Sequence, residues 1–499
     1  MKKKIVSLII GWVLIFQMIS FGSDGGEMGT FGGISEGRNL PKTIDAYVDS
    51  GLGLITEFEY KEMIYISGAP IEFSGTITVE IDDAKIMDAP AGTYEERYTI
   101  DATSIAGDTM SREIVFLTSY RIKESTFKNQ IIRVSTMTDW SENFNIDGVD
   151  YNLILGQSDF SKSSIEDMTP GVSYYDTVIS YNAVYSTSTD DLINISVEGN
   201  VYGFQQPWAK VETQDLTMIL ESTGANEWQM QVHIQPFMKA KKTMYYDETA
   251  PFPISFGGTY NQRLEREATL TYEIQTTDLV IEEIDRSGSI YLDINNTVEK
   301  LPIPDGLDFI EGHWAEEDLK KLYSMEIFTE VPHDGMQYEA ITRGSFVKAL
   351  CLAMNIDTSD YENLEVATAP QYYGDVEFAH PMYKYIMAAS DAKLVQGVGA
   401  DFNVAKPITR QEAFVIYIRV IGLERLGVSN NPITPFVDDA QIASWARKEI
   451  MAGYNLGIIK GDALGKVLPN TMISKTEAAA IINRLIDYCR EEISQDYQY

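Results

Sequence analysis

One unit recurs three times in the C-terminal part of this 499-residue chain, and no other feature constrains the fold as much. The first copy passes through His313-Trp314-Ala315 and Ile341-Thr342-Arg343. The second passes through His380-Pro381-Met382 and Ile408-Thr409-Arg410, and the third through Trp445-Ala446 and Ile473-Ser474-Lys475. Arg343 and Arg410 are 67 positions apart, and Arg410 and Lys475 are 65 apart. Even spacing of this kind means several copies of one supersecondary unit packed together. Each copy also sets a cation directly after a Thr or Ser.

Inside each copy the apolar period is helical. Phe346, Leu350 and Met354 fall at i, i+4 and i+8 with Val347 and Cys351 beside them, and Ile481, Ile482, Leu485 and Ile486 do the same in the third copy. Such stripes face a core, so each copy reads as helix, loop, helix. The loop carries Gly397 in copy two and Gly461 in copy three, expected to supply a positive φ or a close backbone approach. Glu330 holds that slot in copy one.

The three copies resemble S-layer homology (SLH) repeats. The matching features are Phe436-Val437-Asp438, His313-Trp314-Ala315, Val395-Gln396-Gly397, Ile459-Lys460-Gly461 and Ile408-Thr409-Arg410-Gln411-Glu412. Copy one departs in having Gly344-Ser345 after Arg343 and so lacks the usual Glu. Copy two has Pro381 where copy one has Trp314, and copy three has Ser474-Lys475 for Thr-Arg. The resemblance implies an all-α module with pseudo-threefold symmetry, its repeats spanning 305–357, 371–427 and 434–490. It also implies non-covalent anchoring to a secondary cell-wall polysaccharide, often pyruvylated, of a Gram-positive-type wall. The ligand would meet the Thr-Arg motif in grooves between repeats.

The residues themselves are compatible with that chemistry. Thr409 to Glu412 and Ser474 to Glu477 fit the capping box, Ser/Thr followed three positions later by Glu. A helix N-terminus offers free N–H groups and a positive dipole end to an anion, and an arginine binds a carboxylate through two parallel hydrogen bonds. The expected polysaccharide-binding positions are therefore Arg343, Arg410 and Lys475 with their caps Thr342, Thr409 and Ser474. Lys475 supplies a point charge rather than a fork, so its site should be weaker. A blander reading makes Thr and Ser mere caps, worth about 1 kcal/mol each, but leaves the recurring cation unexplained. Trp314 and Trp445 read as helix-packing aromatics or as stacking platforms for sugar. Asp375 and Asp438 read as structural caps or as contacts to ligand hydroxyls. Gly397 and Gly461 complete the expected site.

Residues 42–300 read instead as all-β and sandwich-like. Ile77, Val79 and Ile81 alternate with Thr76, Thr78 and Glu80, and Leu270, Tyr272 and Ile274 alternate with Thr271, Glu273 and Gln275, which is strand periodicity. Gly199-Asn200 and the stretch from Ser222 to Asn226 read as hairpin turns. Many short strands suggest one large or two smaller sandwiches, the latter with a break near residue 175. Leu301-Pro302-Ile303-Pro304 reads as a stiff linker.

Lys2, Lys3 and Lys4 followed by an apolar run from Ile5 to Ile19 read as a signal peptide over 1–22, too short for the alternative of a transmembrane anchor. Residues 23–41 read as a flexible Gly-rich segment. The expected location is therefore secreted, at the cell surface. The formal charge is -35, which argues against a nucleic-acid partner. Residues 305–499 hold 17 basic and 29 acidic side chains, so most of the excess lies in the β-rich part. Clustered carboxylates are a chemistry for Ca²⁺, but no EF-hand-like spacing occurs, and no cofactor or metal site is expected. Two cysteines, Cys351 and Cys489, make no disulfide framework; buried thiols are expected over a mutual bridge. His233, the one histidine of the β-rich part, reads as a surface strand position rather than a catalytic one. The expectation is a wall-anchored display protein without enzymatic activity, an S-layer component with possible self-association. An adhesin and a wall-anchored polysaccharide-active enzyme are the alternatives.

Overall fold

The computed structural model describes residues 32–35, 54–81, 89–124, 129–224, 227–247, 258–277, 285–294, 296–362, 364 and 369–493. The leader at 1–22 and most of the 23–41 segment lie outside them. Fifteen strands come first: β1 Ile34–Ser35, β2 Leu54–Ile64, β3 Ile71–Ile81, β4 Ala91–Ser104, β5 Thr109–Glu124, β6 Asn129–Ile146, β7 Val149–Leu153 and β8 Asp159–Met168. They continue as β9 Ser173–Thr187, β10 Leu192–Gln205, β11 Ala209–Thr223, β12 Trp228–Asp247, β13 Thr259–Thr277, β14 Ser287–Tyr291 and β15 Thr297–Pro302. Six α-helices follow: α1 Glu316–Ser324, α2 Arg343–Ala353, α3 Tyr383–Asp391, α4 Arg410–Val420, α5 Arg447–Asn455 and α6 Lys475–Asp487.

All fifteen strands join one antiparallel meander, each next to its chain neighbour, except that β8 slots beside β7 between β6 and β9, and β15 returns to β13. Tyr175 lies inside β9, which is paired on both sides, so one continuous sheet replaces the expected pair of sandwiches broken near 175. The sheet curls until β14 lies beside β2 and β1 beside β12 and β13. One core then runs from Phe58 and Ile77 through Phe116, Trp140 and Ile179 to Leu216, Val232 and Leu270. Strict alternation produces it: in β12 every second residue from Met230 to Lys242 is buried, as period-two side chains require.

That inward face also holds charges. Arg112 binds Glu62 at 2.9 Å and Glu142 at 2.6 Å, Lys162 binds Glu96 at 2.5 Å, and Arg133 binds Glu166 at 2.7 Å. All are buried, each ion matched by an opposite charge as burial demands.

Three local expectations change. Gly199-Asn200 is no turn, because β10 runs straight through it; a Cβ on Gly199 would sit 2.1 Å from the Asp215 carbonyl, so glycine there admits the neighbouring strand. At the second expected hairpin the flanking strands β11 and β12 pair, with Ser222 opposite Trp228, while residues 225 and 226 lie outside the described residues. The stretch from Leu301 is not a free linker: Thr297–Pro302 is an edge strand, and Ile303 is buried in the helical core.

The helices close into a ring. Ile341 N–H donates to the Ile473 carbonyl at 3.0 Å, Ile473 to Ile408 at 3.2 Å, and Ile408 to Ile341 at 3.1 Å. Each repeat thus takes one bond and gives one, and the cycle shuts after three. The β-rich unit then caps the far ends of the second helices. Trp208 Nε1 donates to the Ala353 carbonyl at 2.8 Å, Gly171 N–H to Val420 at 2.8 Å, and Gln206 Nε2 to Cys489 at 2.7 Å. These are carbonyls that a helix cannot satisfy internally. The contact explains why the start of β11 is buried on both faces. Cys351 and Cys489 are free and buried, and burial pushes the Cys351 thiol up to about 12.

Candidate functional site: three grooves between repeats

Arg343, Arg410 and Lys475 are the first residues of α2, α4 and α6, and Thr342, Thr409 and Ser474 are their N-caps. The capping boxes form: Thr409 N–H donates to Glu412 at 2.8 Å, and Ser474 N–H to Glu477 at 2.8 Å. In the first repeat, which lacks Glu, Thr342 Oγ1 accepts the Ser345 N–H at 3.1 Å, and Ser345 Oγ donates to Glu330 at 3.1 Å.

The helix starts are not the open N–H sites expected from the caps. Arg343 N–H donates to the Lys406 carbonyl at 2.8 Å, Arg410 N–H to Thr471 at 2.9 Å and Lys475 N–H to Glu339 at 2.8 Å. Gly344 and Gln411 N–H are filled likewise, by Val404 and Pro469. Ring closure lays the next repeat's loop over each helix start and uses its donors. Charge for an anion must therefore come from the side chains.

Those side chains lie in three unlike grooves. Arg343 is 9% exposed; it donates to Gln396 O at 2.8 Å and Glu412 at 3.2 Å and stacks over Phe402 at 4.7 Å. Arg410 is more open: Nε donates to Val467 O at 3.0 Å, Nη1 reaches Glu477 at 3.5 Å, and Nη2 has no partner among the described residues. Lys475 is clasped by Glu330 at 2.5 Å and Glu339 at 3.0 Å. Burial pushes both arginines below their ordinary value, with Glu412 and Glu477 acting the other way. For Lys475 burial acts downward too, but hydrogen bonds to Glu330 and Glu339 raise it overall. The first repeat's missing Glu is thus supplied from the loop by Glu330, which the sequence pattern did not reveal as a partner.

The other expected residues divide. Trp314 and Trp445 are 63% and 51% exposed, so neither packs a helix. The turn Ser444–Ala446 touches α4, and Ala443 N–H donates to Gln411 at 3.0 Å, which sets the turn carrying Trp445 against the start of the helix that Arg410 begins. Asp375 accepts Phe402 and Val404 N–H at 2.6 and 2.9 Å, and Asp438 accepts Val467 and Leu468 N–H at 2.9 and 2.8 Å. Both clamp their own repeat's loop. Burial works to raise the Asp375 carboxyl, and these backbone donors hold it below the usual range. Gly397 and Gly461 have no positive φ; a Cβ would meet the Tyr373 ring at 2.4 Å and Gly465 at 2.9 Å, so close approach is their reason. In the β-rich unit His233 Nε2 lies 2.5 Å from Asp215 on the outer face. No cluster of three His, Cys, Asp or Glu suited to a metal occurs among the described residues.

The helical part is thus a closed ring of helix–loop–helix repeats with a cation at each junction. The S-layer homology domain family matches residues 372–414 and 435–479, and the chain is an SLH-domain protein. Domains of this family mark a surface protein held to the cell wall through secondary wall polymer. Over 185 residues, 36% of the chain, it is 29% identical to an amylopullulanase of Thermoanaerobacterium thermosulfurigenes and to the exoglucanase XynX of Acetivibrio thermocellus, covering 9% and 16% of those proteins. It is 30% identical over 123 residues to an endoglucanase of Bacillus sp. (strain KSM-635), covering 12% of it. A cell surface protein of Thermoanaerobacter kivui is 26% identical over 134 residues, 17% of its length. The chain thus spans less than a fifth of these relatives. Three of them carry enzyme names, which overturns the expectation that enzymatic activity is absent. No helix among the described residues is long and apolar enough to cross a membrane.

Proposed function

We propose that this chain is exported by its 1–22 leader and held on the wall by an anionic, pyruvylated secondary polysaccharide. The groove of Arg410 is its main binding site, and residues 305–357 act as the first of three SLH repeats. The β-rich unit is displayed outward as an S-layer component. What supports the groove assignment is one pairing: Arg410 Nη2 has no partner among the described residues, and the turn that carries exposed Trp445 packs against the same helix, α4. The Arg343 groove has Pro381 at the Trp position and a buried guanidinium, and Lys475 already has two carboxylates. A carboxylate on the polymer would take both Arg410 nitrogens, displacing the long contact to Glu477. Co-sedimentation of the full chain with intact walls, and with walls stripped of secondary polysaccharide, tests this. Stripping should abolish binding, and Arg410→Ala should weaken it roughly tenfold, the loss of one charge-assisted pair. Equal binding by the variant would remove Arg410 from the site.

A second reading is favoured by the relatives' names: a wall-held hydrolase of polysaccharide. Release of reducing ends from pullulan or cellulose by the full chain would establish it.

A further inference from the structure

Most of the formal charge of -35 lies in the β-rich part, yet one field on the outer face of its sheet is apolar and neutral. Leu117 on β5, Val134 on β6, Ile165 on β8 and Val178 on β9 point outward and are between 48% and 54% exposed. Register makes them neighbours. Leu117 lies opposite Thr136, Val134 opposite Ser163, and Ile165 between Ile132 and Asp176. Each aliphatic side chain therefore has the next at a diagonal position, within about 7–8 Å. Ser119, Thr136, Ser161, Ser163 and Ser180 fill the gaps, and ionisable groups begin only at the rim, with Glu95, Arg121, Asp176 and Glu198.

Four strands and two side-chain steps make a field about 14 Å on a side between its outer Cα atoms. With its side chains it covers on the order of 400 Å², a size at which apolar surface marks an interaction site. An apolar centre inside a polar rim is also the anatomy of a protein interface. Charge points to the occupant. A basic partner would be drawn to the acidic surface around the field, not to its neutral centre. A second copy of this chain is repelled by that same surface and can approach closely only where carboxylates are missing. Rows of aliphatic and hydroxyl side chains are complementary to themselves, and two such faces pack about 10 Å apart. The position suits this too. The β8–β9 turn meets the ring through Gly171 and the β10–β11 turn through Trp208, so the strands run away from the ring and the field lies on the flank of the sheet.

We propose that the outer face of β5, β6, β8 and β9 is a contact between two copies of this chain, flank to flank about a two-fold axis. The field is about half the roughly 800 Å² that each partner of a stable complex buries, so the contact is weak in solution. It deepens the S-layer reading by making the chain its own partner, and copies held side by side on a wall would gain from effective concentration. The contact itself needs no wall, so its failure would leave wall binding untouched.

Sedimentation equilibrium of the full chain tests it. The parent should form a dimer, and more of it in high salt, which screens the rim carboxylates. Ser163→Glu sets a charge at the centre of the field on an exposed position and should weaken the dimer roughly tenfold. An equimolar mixture of Ser163→Glu and Ser163→Lys should associate more tightly than Ser163→Glu alone, because opposite charges then meet near the axis. Ser287→Glu, the same charge on β14 outside the field, should dimerise as the parent does. A parent monomeric up to about 1 mM, an unchanged constant in Ser163→Glu, a mixture no tighter than Ser163→Glu alone, or an equal loss in Ser287→Glu would each overturn the proposal.

Discussion

Asp391 shows how far one carboxyl can depart from what its neighbours in sequence suggest. It ends α3, accepts the Tyr372 hydroxyl at 3.1 Å, and is pushed up to about 6 by burial first and by the charge of Asp360 second. The folded chain therefore holds this proton more tightly than the unfolded chain, whose aspartate titrates near 3.9. Stability from this group is complete below about pH 4 and is lost as pH rises through about 6. At neutral pH the charged carboxylate opposes folding. Asp391→Asn should raise the urea midpoint at pH 7, leave it nearly unchanged at pH 4, and flatten the slope between. Partial solvent access keeps the gain modest. An equal gain at both pH values would show that packing, not titration, decides this position.

Among elements, β2, β5 and β6 are cross-linked inside the sheet by Glu62, Arg112 and Glu142, with Tyr60 and Trp140 hydrogen-bonded to the same carboxylates at 2.8 and 3.0 Å. Removing the cation would leave two buried carboxylates facing each other. Arg112→Met should cost about 3–5 kcal/mol, read as a fall in the denaturant midpoint of the β-rich unit; a loss below about 1 kcal/mol would mean that water reaches the pair. The phase of this network was readable, since Glu62 follows Phe58 and Tyr60 at alternate positions, but its partners lie 50 and 80 residues away and only folding joins them. The same limit explains the misread turn at Gly199-Asn200, whose composition fits a hairpin as well as a close strand approach. Pro302 suggested a linker because proline lacks a donor, yet an edge strand tolerates it. In the grooves, the repeats, caps and cations were legible because they are local. The carbonyls that fill the helix starts were not, because ring closure brings them there. Nor was Glu330, which stands in from a loop for a residue its own helix lacks.

At the scale of the whole molecule, the contacts between the two units predict that they unfold together. Trp208 is 1% exposed in the core of the helical ring although it lies between β10 and β11. Its backbone N–H is held by the Gln206 side chain at 2.8 Å, and that same side chain reaches the Cys489 carbonyl. Ring repeats one and three are thus tied to the β-rich unit by one short turn, and repeat two by Gly171. Trp208→Ala should cost about 3–5 kcal/mol, as for other large aromatic truncations. The loss should fall on the coupling, because each unit keeps its own core. Calorimetry should therefore resolve two thermal transitions where the parent shows one. Trp208→Phe, which retains most of the packing but not the bond to Ala353, should cost about 1 kcal/mol and keep a single transition. Two transitions in the parent protein, or one undivided transition in Trp208→Ala, would mean that cooperativity between wall anchor and displayed sheet does not run through this turn.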